Sequence, residues 1–572
     1  MGEPLSRLYA SILVQRLVQY TEQQGLRSPT QAGYRPGHST IHQTFVLQHV
    51  IDKHRRLKSP LYLCFVDLKS AYDRVQWQLL WDLLRRLGVQ GTMLGAIQSL
   101  YDGCLLSMRV NGVTGDSQAP SMGLRQGCPL SATLFGLFID GLHHYLEAAV
   151  PTAGIQILQK RLRELVYADD ICLLASSPEQ LQALINALAV YCATLQMEIS
   201  VPKTKVMIVS AVPAPVVPFT CNGNPVEQVA TFKYLGLHFH QSGCVAPLVT
   251  PIKSKAGGSW AAVQRRHSLL QCGNTINLHL HLLQAILVPV LQYGCQIWGM
   301  HSPRVAAAND ARAALQRLND YYLRTICRLL PSTPRKLLLT ELGLLPLQVS
   351  WWRQTLQFWN SLAGLPVGSL YHTVCLDNLA DAFQGGTCNM ASSLATCLHS
   401  VGFEMPRVHD VVPLLDVDGV VEALTARLQS TGSSRLHCPR AAPTQGVVSC
   451  TYEQWFKPYS LRRRYCQLPV SGRRMQRFLQ FRLGCHGLPI ATGRLAGADH
   501  VDRANRVCLA CNSGAIGDEK HLIFECTALA PVRQQHADLF TPRTDTMRSF
   551  FAQQDHLGVL NYVIDCLNFM NI

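Results

Sequence analysis

The chain is 572 residues long, 48% of them hydrophobic, and carries a formal net charge of +15. This length supports several domains with cores of their own and excludes a small disulfide-stabilised peptide, while the positive charge indicates a polyanionic partner. No apolar run reaches the roughly 18 residues of a membrane span, and the N-terminus lacks the segments of a secretory signal. The 21 cysteines are scattered and often lie in apolar runs, which favours reduced thiols and a nuclear or cytoplasmic location.

The first element with chemical content is an apolar stretch that ends in an acid. Residues 61–66 are β-prone, so they predict a buried strand with Asp67 at its end. Ser70 followed by Asp73 predicts a helix start, and the apolar positions that follow continue this helix as far as Gly88. An acid at a strand end can face the acids of a second strand across a sheet.

A glycine-containing loop follows farther along the chain. Gly123 and Gly127 flank Gln126, the loop breaks at Pro129, and a helix is predicted to open after Ser131. Such glycines let the backbone approach a ligand closely. An ordinary loop before an amphipathic helix also accounts for the glycines alone.

The most informative element is the stretch Tyr167-Ala168-Asp169-Asp170, which stands between two apolar runs. This pattern predicts a hairpin with the two carboxylates at its tip. Adjacent aspartates repel and raise each other's pKa, and a bound divalent cation such as Mg²⁺ removes that cost. A solvated Asp-Asp turn is the alternative for the motif taken by itself.

Together, Asp67, Asp169 and Asp170 predict a site for two metal ions. One ion would activate a 3′-hydroxyl and the other would bind a triphosphate. This arrangement suits phosphoryl transfer, because catalysis there consists mostly of positioning and charge neutralisation.

These segments, in this order, resemble the reverse transcriptase of LINE-type (non-LTR) retrotransposons. The similarity covers residues 5–240 in detail and extends more loosely to the C-terminus. Six segments resemble motifs of this family. Residues 32–40 resemble the fingers motif, and residues 232–237 resemble the primer-grip turn. The first to fourth palm motifs correspond to residues 65–73, 123–135, 167–170 and 202–205. The resemblance implies an α+β fold of the right-hand polymerase type (fingers, palm and thumb) with a helical C-terminal region and a small zinc knuckle.

The resemblance also implies roles for three nucleotide-binding side chains. Tyr72 would exclude the 2′-hydroxyl of the incoming sugar, with a core aromatic as the alternative. Gln126 would lie in the loop that approaches the template base and the nucleotide. Lys203, or equally Lys205, would protonate the leaving pyrophosphate, although either lysine could be a phosphate clamp or a solvated charge.

The implied function is that of an RNA-directed DNA polymerase, a nucleotidyltransferase that extends a DNA 3′ end on an RNA template. Its expected partners are the RNA template, a DNA primer or target and dNTP, with two Mg²⁺ ions as cofactors. The alternative is a decayed or co-opted copy that binds nucleic acid without synthesis. The family's first fingers segment, expected upstream of Leu8, looks missing or cut short. Proteins of this family commonly carry an endonuclease before the polymerase or after the knuckle, and the 46 residues that follow Cys526 are too few for a separate nuclease core. A group II intron maturase fits less well, because no nuclease-like pair of Cys-x2-Cys motifs follows the polymerase.

One group of cysteines differs from the scattered remainder. A Cys-x2-Cys turn followed by a histidine and a cysteine five residues apart can complete a tetrahedral zinc site, whereas Cys485 and His486 are rivals with less suitable spacing. The segment also resembles the C-terminal knuckle of the same retrotransposon proteins. The expected zinc ligands are Cys508, Cys511, His521 and Cys526.

A basic segment precedes this group. Residues 457–494 contain nine Lys or Arg and no Asp or Glu, with Tyr465, Phe478 and Phe481 interleaved, which suits phosphate neutralisation and stacking on bases or sugars. A solvated helix face is the alternative. The expected nucleic-acid contacts are Arg462, Arg463, Arg464, Arg473, Arg474 and Arg477.

The predicted domain order follows from these segments. Residues 1–240 form truncated fingers and the palm, 241–345 a helical thumb, 346–450 a helical and variable connector, 451–500 the basic nucleic-acid-binding segment, 501–530 the CCHC knuckle and 531–572 a helical tail.

Overall fold

The computed structural model describes residues 4–210, 217–243, 249–267, 275–300, 311–385, 389–406, 411–434, 465–493 and 501–572. The chain divides into two units, each made of several segments. The first unit consists of Met1–Leu248, Gly294–Arg304 and Thr355–Leu415. The second consists of Val249–Tyr293, Val305–Gln354 and Asp416–Ile572. Among the described helices, none combines the length and the apolar character that crossing a bilayer requires.

The strands of the described chain belong to the first unit. They are β1 Leu61–Val66, β2 Arg109–Val110, β3 Val113–Thr114, β4 Ile155–Ile157, β5 Lys160–Leu162, β6 Glu164–Tyr167, β7 Asp170–Ala175, β8 Lys205–Val209, β9 Phe219–Cys221, β10 Asn224–Gln228, β11 Thr231–Tyr234 and β12 Leu237–His240.

Six of these strands form one sheet in the order β6-β7-β1-β8-β10-β9. Strand β1 is antiparallel to both of its neighbours, β7 and β8, whereas β10 pairs with β8 in parallel. The hairpins β2–β3, β4–β5 and β11–β12 form separate two-stranded sheets. The order confirms the predicted hairpin and places it directly beside the predicted buried strand.

Helices pack around the sheet of the first unit. The helix Pro178–Thr194 contacts β1, β7 and β9, and the helix Thr40–Arg56 contacts β6 and β8. The remaining helices of this unit are Pro4–Gln23, Trp77–Arg86, Gly91–Gln98, Pro129–Ile139, Leu142–Ala149, Cys295–Trp298, Leu370–Phe383 and Met390–His399.

The described part of the second unit consists of helices and turns, with one isolated β-bridge between Val507 and Ile516. A π-helical turn, Leu283–Leu287, joins Thr275–Leu282 to Val288–Gln292, because Pro289 lacks an N–H and its ring clashes with the carbonyl of the residue four positions earlier. The other helices of eight or more residues are Val249–His267, Ala311–Cys327, Arg335–Leu342, Leu347–Ala363 (which runs on into the first unit), Val417–Ser434, Gly472–Arg482 and His556–Phe569. Shorter helices and turns are Tyr465–Gln467, Pro489–Thr492, Arg503–Asn505, His521–Glu525, Thr527–Leu529, Ala530–Gln535, Ala537–Leu539 and Met547–Ala552.

Strand β1 lies in the core of the first unit and is buried along its whole length. The Phe65 ring stacks on Phe232 of β11, with ring centroids 4.1 Å apart. A strand covered on both faces needs apolar side chains at every position, which explains why its sequence shows no polar alternation. The burial of β1 confirms that prediction.

The helix expected from Ser70 starts later, which corrects the sequence reading. Residues 71–74 form a single 3₁₀ turn, Ser70 has φ +45°, and the helix begins only at Trp77. The physical reason is tertiary, because the carbonyls of Tyr72 and Val75 accept hydrogen bonds from Leu124 and Gly123 of the glycine-containing loop. Those carbonyls are therefore not available to a regular helix.

Candidate active site and metal cluster

The turn of the β6–β7 hairpin carries two of the predicted acids. We call residues 164–175 the acidic hairpin. Tyr167 lies opposite Asp170 in the ladder, which leaves Ala168 and Asp169 as the turn residues. Val66 lies opposite Ile171, and continuing this antiparallel register puts Asp67 opposite Asp170. Neighbouring strands therefore bring the three acids to one end of the sheet.

The electrostatics of the acids confirm that they lie close together. Burial raises the pKa of Asp169, and the Asp67 carboxyl adds to that rise while Lys203 opposes it. Burial, followed by the carboxyls of Asp169 and Asp67, raises the pKa of Asp170 to about 6. Oδ2 of Asp67 makes no hydrogen bond that meets the usual angular criteria, and its partner is the Lys203 ammonium at 3.3 Å. Mutually repelling hard oxygens fit a divalent cation.

The two lysines left open by the sequence occupy different surroundings. Lys203 Nζ lies 3.3 Å from Asp67 Oδ2, and its side chain is 71% exposed. Lys205 Nζ donates to the carbonyl of Pro202 and pairs with Glu227 Oε2 at 2.7 Å. Only the first of the two lysines therefore contacts the acids.

Tyr72 is half-buried and packs on the core. Its ring stacks on Phe135 with centroids 4.5 Å apart. Burial raises the pKa of the Tyr72 hydroxyl, and Tyr34, Asp169 and Tyr167 add to the rise. The ring thus belongs to the core, while its hydroxyl is close enough to the acidic hairpin to interact with Asp169.

The glycine-containing loop lies against the turn that holds Tyr72. Gly123 has φ +93°, and a Cβ at this position would come within 2.9 Å of the carbonyl oxygen of Asp73. Gln126 is exposed, and its Nε2 lies 3.3 Å from Asp73 Oδ1. The following helix begins at Pro129, earlier than the start predicted after Ser131, because proline is suited to the first turn of a helix. Close approach of the loop explains the need for glycine at position 123.

The sequence did not single out two buried residues, Gln43 and Glu164, whose hydrogen bonds link the acidic hairpin to neighbouring segments. Gln43 is fully buried, and its Nε2 donates to the carbonyls of Thr30 and Val166 at 2.7 and 2.9 Å. Glu164 of β6 is also buried and accepts hydrogen bonds from Thr30 Oγ1 and His143 Nδ1, both at 2.7 Å. A buried glutamine or glutamate gives no periodic signal in a sequence, so only the fold reveals these contacts.

Residues 355–415, which the sequence assigns to a variable connector, are part of the first unit. Asp377 Oδ2 lies 2.7 Å from His49 Nε2 and 2.7 Å from Lys53 Nζ. Burial by itself would raise the pKa of Asp377, but hydrogen bonds and charges of His49 and Lys53 hold that pKa below its usual value. The helix Leu370–Phe383 is thereby tied to the helix Thr40–Arg56.

The four predicted knuckle residues converge. Their ligand atoms all lie within 4.8 Å of one another. Sγ of Cys508 is 3.8 Å from Sγ of Cys526, and Sγ of Cys511 is 3.3 Å from Nε2 of His521. A tetrahedron with Zn–S of about 2.3 Å and Zn–N of about 2.05 Å has S···S of about 3.8 Å and S···N of about 3.5 Å. The donor set and its spacing fit a tetrahedral metal ion.

Local structure arranges this Cys/His cluster. The π-helical turn His521–Glu525 closes with a hydrogen bond from the Cys526 N–H to the His521 carbonyl, 2.7 Å long. The rival residues have other partners, since His486 pairs with Glu519 at 2.9 Å and Cys485 Sγ lies 3.3 Å from Thr333 Oγ1. The cluster therefore excludes both rivals.

The basic segment is described in part. Arg462, Arg463 and Arg464 lie outside the described residues. In the helix Gly472–Arg482, Arg473 is exposed, whereas Arg474 donates to Asn561 Oδ1 at 2.9 Å and Arg477 to Asn568 Oδ1 at 2.5 Å.

Two of the aromatic residues in this segment are buried. Phe478 and Phe481 are 2% and 0% exposed, so the expectation that they stack on bases is wrong. The two rings lie on the apolar face of the helix, which packs into the core of the second unit.

The comparisons with known proteins agree with this geometry. Residues 3–239 match the family model for reverse transcriptase (RNA-dependent DNA polymerase). The chain is 23% identical over 335 residues to a probable RNA-directed DNA polymerase from transposon X-element of Drosophila melanogaster, covering 56% of this chain and 35% of that protein. It is 29% identical over 273 residues to the retrovirus-related Pol polyprotein from type-1 retrotransposable element R2 of Popillia japonica, covering 46% and 43%.

The aligned regions span 35% and 43% of the length of these two relatives. A solved structure of telomerase from Candida albicans aligns with 66% of this chain and 54% of its own length at 10% identity, with a TM-score of 0.27. The family match and the relatives bear out the predicted resemblance of the N-terminal part of the chain to reverse transcriptases. Residues 3–239 are a reverse transcriptase domain similar to those of non-LTR retrotransposons.

Proposed function

We propose that the chain is an RNA-directed DNA polymerase of a non-LTR retrotransposon, which extends a DNA 3′ end on an RNA template. The observation that carries this proposal is the convergence of Asp67, Asp169 and Asp170 at one end of the sheet. The dNTP, the RNA template and the DNA primer or target are its proposed substrates and partners.

The three acids are the proposed ligands of two Mg²⁺ ions. When bound, the ions would neutralise the triphosphate and lower the pKa of the primer hydroxyl. The protein's own part is to hold three carboxylates at a fixed separation on neighbouring strands. The raised pKa values of Asp169 and Asp170 favour this role, because a cation relieves the repulsion that contributes to them.

Three further side chains have proposed roles around the acids. Lys203 is the proposed contact for the triphosphate or the leaving pyrophosphate, since it is exposed and already pairs with Asp67. Tyr72 is the proposed wall against a 2′-hydroxyl, supported by its contact with Phe135. Gln126 is exposed in the glycine-containing loop, which suits a nucleotide contact.

The Cys/His cluster is the proposed zinc site. Cysteine thiolates and imidazole are the ligands that zinc takes in closed structural sites, and the measured separations agree with a tetrahedron. Bound zinc would hold the turn His521–Glu525 against the preceding Cys-x2-Cys turn. The role proposed for the cluster is structural.

The basic segment is the proposed nucleic-acid contact of the second unit. The contact set is Arg462, Arg463, Arg464, Arg473, Arg474 and Arg477. Within the described residues, the exposed Arg473 suits a phosphate best, so replacing it with glutamine should reduce the salt slope of RNA binding by about one. Arg482→Gln is unsuitable as a control, because its guanidinium is buried against Glu341. An unchanged salt slope for Arg473→Gln would make this surface a solvated helix face.

The test of the proposed activity is primer extension on an RNA template with dNTP and Mg²⁺. Asp169→Asn should lower the rate at least about a thousandfold, since a metal-ligand charge is worth several kcal/mol in the transition state. Asp82→Asn removes an exposed carboxylate that pairs with Arg85, so this control should remain active. RNA affinity should be unchanged in both variants.

The outcomes separate the two functions that the sequence leaves open. Extension by Asp169→Asn at the wild-type rate would overturn the two-metal assignment. Tight RNA binding by the wild-type chain without any extension would instead favour a nucleic-acid-binding copy that does not synthesise DNA.

A further inference from the structure

The segment Thr30–Tyr34 runs beside the acidic hairpin as an additional short pairing. The Ala32 N–H donates to the Val166 carbonyl at 2.9 Å, and the Val166 N–H donates to the Thr30 carbonyl at 3.0 Å. Gln31 forms a parallel bridge with Val166. We call residues 30–34 the strap. Strand β6 therefore has β7 on one side and the strap on the other.

Gln31 extends from the strap to the turn that carries Asp169. Its Oε1 accepts a hydrogen bond from the Ala168 N–H at 3.0 Å and another from the Gly33 N–H at 2.7 Å. The residue is 1% exposed, so neither N–H has water as a substitute partner. An unpaired buried N–H is costly, and this single oxygen therefore fixes two backbone groups.

The hydrogen bond from the Ala168 N–H stabilises a residue whose backbone conformation is otherwise unfavourable. Ala168 has φ +58°, a left-handed conformation that is unfavourable for a residue with a Cβ. A neutral carboxamide holds this N–H without adding a negative charge beside Asp169. A carboxylate at position 31 would add to the repulsion among the acids.

The strap and the turn are also in van der Waals contact. A Cβ on Gly33 would lie 2.3 Å from the Ala168 nitrogen and 3.0 Å from its Cα. Both are backbone atoms that cannot rotate away. The strap thus limits the positions that the turn can adopt, and Gln31 selects one of them.

We propose that Gln31 is a positioning residue that fixes the Ala168–Asp169 turn and thereby the Asp169 carboxylate for metal binding. The inference rests on the proposed function, because the position of Asp169 matters for catalysis only if this residue binds a metal ion. Gln31 itself would contact neither substrate nor metal.

The experiment compares two buried glutamines in the full-length chain. Gln31 holds the turn, whereas Gln43 holds the strand and the strap through the carbonyls of Val166 and Thr30. Direct titration with Mn²⁺, thermal unfolding and RNA-templated extension are measured for the wild type, Gln31→Ala, Gln43→Ala and Asp169→Asn. Gln31→Asn is a milder second variant, because its carboxamide is one methylene too short to reach the turn.

We expect Gln31→Ala to weaken Mn²⁺ binding about tenfold, as loss of a group that orients a metal ligand commonly does. The rate constant for extension should fall while the KM for dNTP and the RNA affinity stay within about twofold, since ground-state binding is not changed. Gln31→Ala and Gln43→Ala should lower the unfolding temperature by similar amounts, but Gln43→Ala should weaken Mn²⁺ binding less than Gln31→Ala does, because it contacts the turn only through the strap and strand β6. Gln31→Asn should repeat the pattern of Gln31→Ala.

Two outcomes would overturn the inference. One is a Gln31→Ala variant that is less stable but binds Mn²⁺ as the wild type does. The other is an equal loss of Mn²⁺ affinity in Gln31→Ala and Gln43→Ala, which indicates a general loss of packing. If Asp169→Asn binds Mn²⁺ as tightly as the wild type does, the proposed function is refuted instead. The two failures can therefore be told apart.

Discussion

The acidic hairpin and the Cys/His cluster are two sites that suit metal ions, yet they are built in opposite ways. The acids lie on neighbouring strands of a six-stranded sheet, backed by a buried strand and a large apolar core. The cluster lies among short turns, where Cys508 and Cys526 are only 18 residues apart. Backbone hydrogen bonds hold the first site in place, whereas ligand side chains make up most of the second.

The difference shows what a metal ion contributes to each site. Without a metal, the acids repel one another but the sheet keeps them together. Without a metal, the Cys-x2-Cys turn has no ligand bonds to the turn His521–Glu525, whose own apolar residues Leu522 and Ile523 are buried. A segment as short as the Cys-x2-Cys turn rarely folds by its own core. Under the proposed assignment, the first site would use the fold to bind metal, and the second would use metal to complete the fold.

Removal of zinc should produce the largest effect and should be confined to the cluster. Binding of structural zinc contributes roughly 10 kcal/mol or more to local folding, so Cys508→Ser should unfold residues 501–530. Hydrogen exchange measures this directly, and the first unit should keep its protection. Cys485→Ser is the matched control, since that thiol lies outside the cluster. Unchanged protection at Cys508→Ser would show that the cluster folds without metal.

Gly33→Ala should break the first site through packing. The new Cβ would lie 2.3 Å from the Ala168 backbone, so the turn must shift, and overpacking of this kind costs about 1–3 kcal/mol. Thermal unfolding and primer extension should both decline. Gly95→Ala is the control, because it lies in a helix with open space around it and should stabilise that helix by about 0.5–1 kcal/mol. Full activity of Gly33→Ala would mean that the turn tolerates displacement.

Tyr72→Ala should change selectivity and leave the metal sites intact. Removing the ring opens space beside the nucleotide, so incorporation of ribonucleotides should rise relative to deoxynucleotides by about 10–200-fold, the range for a lost steric contact. Tyr72→Phe keeps the ring on Phe135 and should keep the selection. Single-nucleotide incorporation measures both. An unchanged preference in Tyr72→Ala would make Tyr72 a core aromatic only.

Asp170→Asn should give the smallest change in stability, and its sign should be opposite to that of Cys508→Ser in the cluster. The folded-state pKa of Asp170 is raised to about 6, so its charge opposes folding, and metal-free stability falls as pH rises from about 4 through 6. The variant should remove the Asp170 part of this dependence and stabilise the metal-free protein by less than about 1 kcal/mol at pH 7. The effect is small because the Asp170 side chain is only partly shielded from water at the end of its strand, so solvent screens its charge. Thermal unfolding between pH 4 and 7 without Mg²⁺ provides the measurement. A lower stability of the variant at pH 7 would contradict the repulsion.

Several elements could be predicted from the sequence because their signals are local. The apolar run 61–66, the hairpin around Asp169 and the spacing of the cysteines each depend on a few neighbouring residues. Local signals failed where distant segments compete for the same backbone. The helix expected at Ser70 begins at Trp77, because the glycine-containing loop uses the intervening carbonyls.

The basic segment teaches the same lesson for side chains. Composition showed arginines and aromatics side by side, but it did not show which of them face solvent. In the fold, Phe478 is buried and Arg474 is bonded to Asn561, whereas Arg473 is exposed. Charge counts along a chain therefore indicate a polyanionic partner but do not select the contacts.

The sequence by itself predicted the type of chemistry, since carboxylates at the ends of neighbouring strands suit two-metal phosphoryl transfer and this Cys/His spacing suits a metal-binding knuckle. Tertiary structure alone decided which lysine meets Asp67, that residues 355–415 join the first unit, and that Gln31 holds the turn beside Asp169. The reason is physical. Ligand chemistry is a property of residue type and spacing, whereas hydrogen bonds between residues 137 apart exist only once the chain has packed.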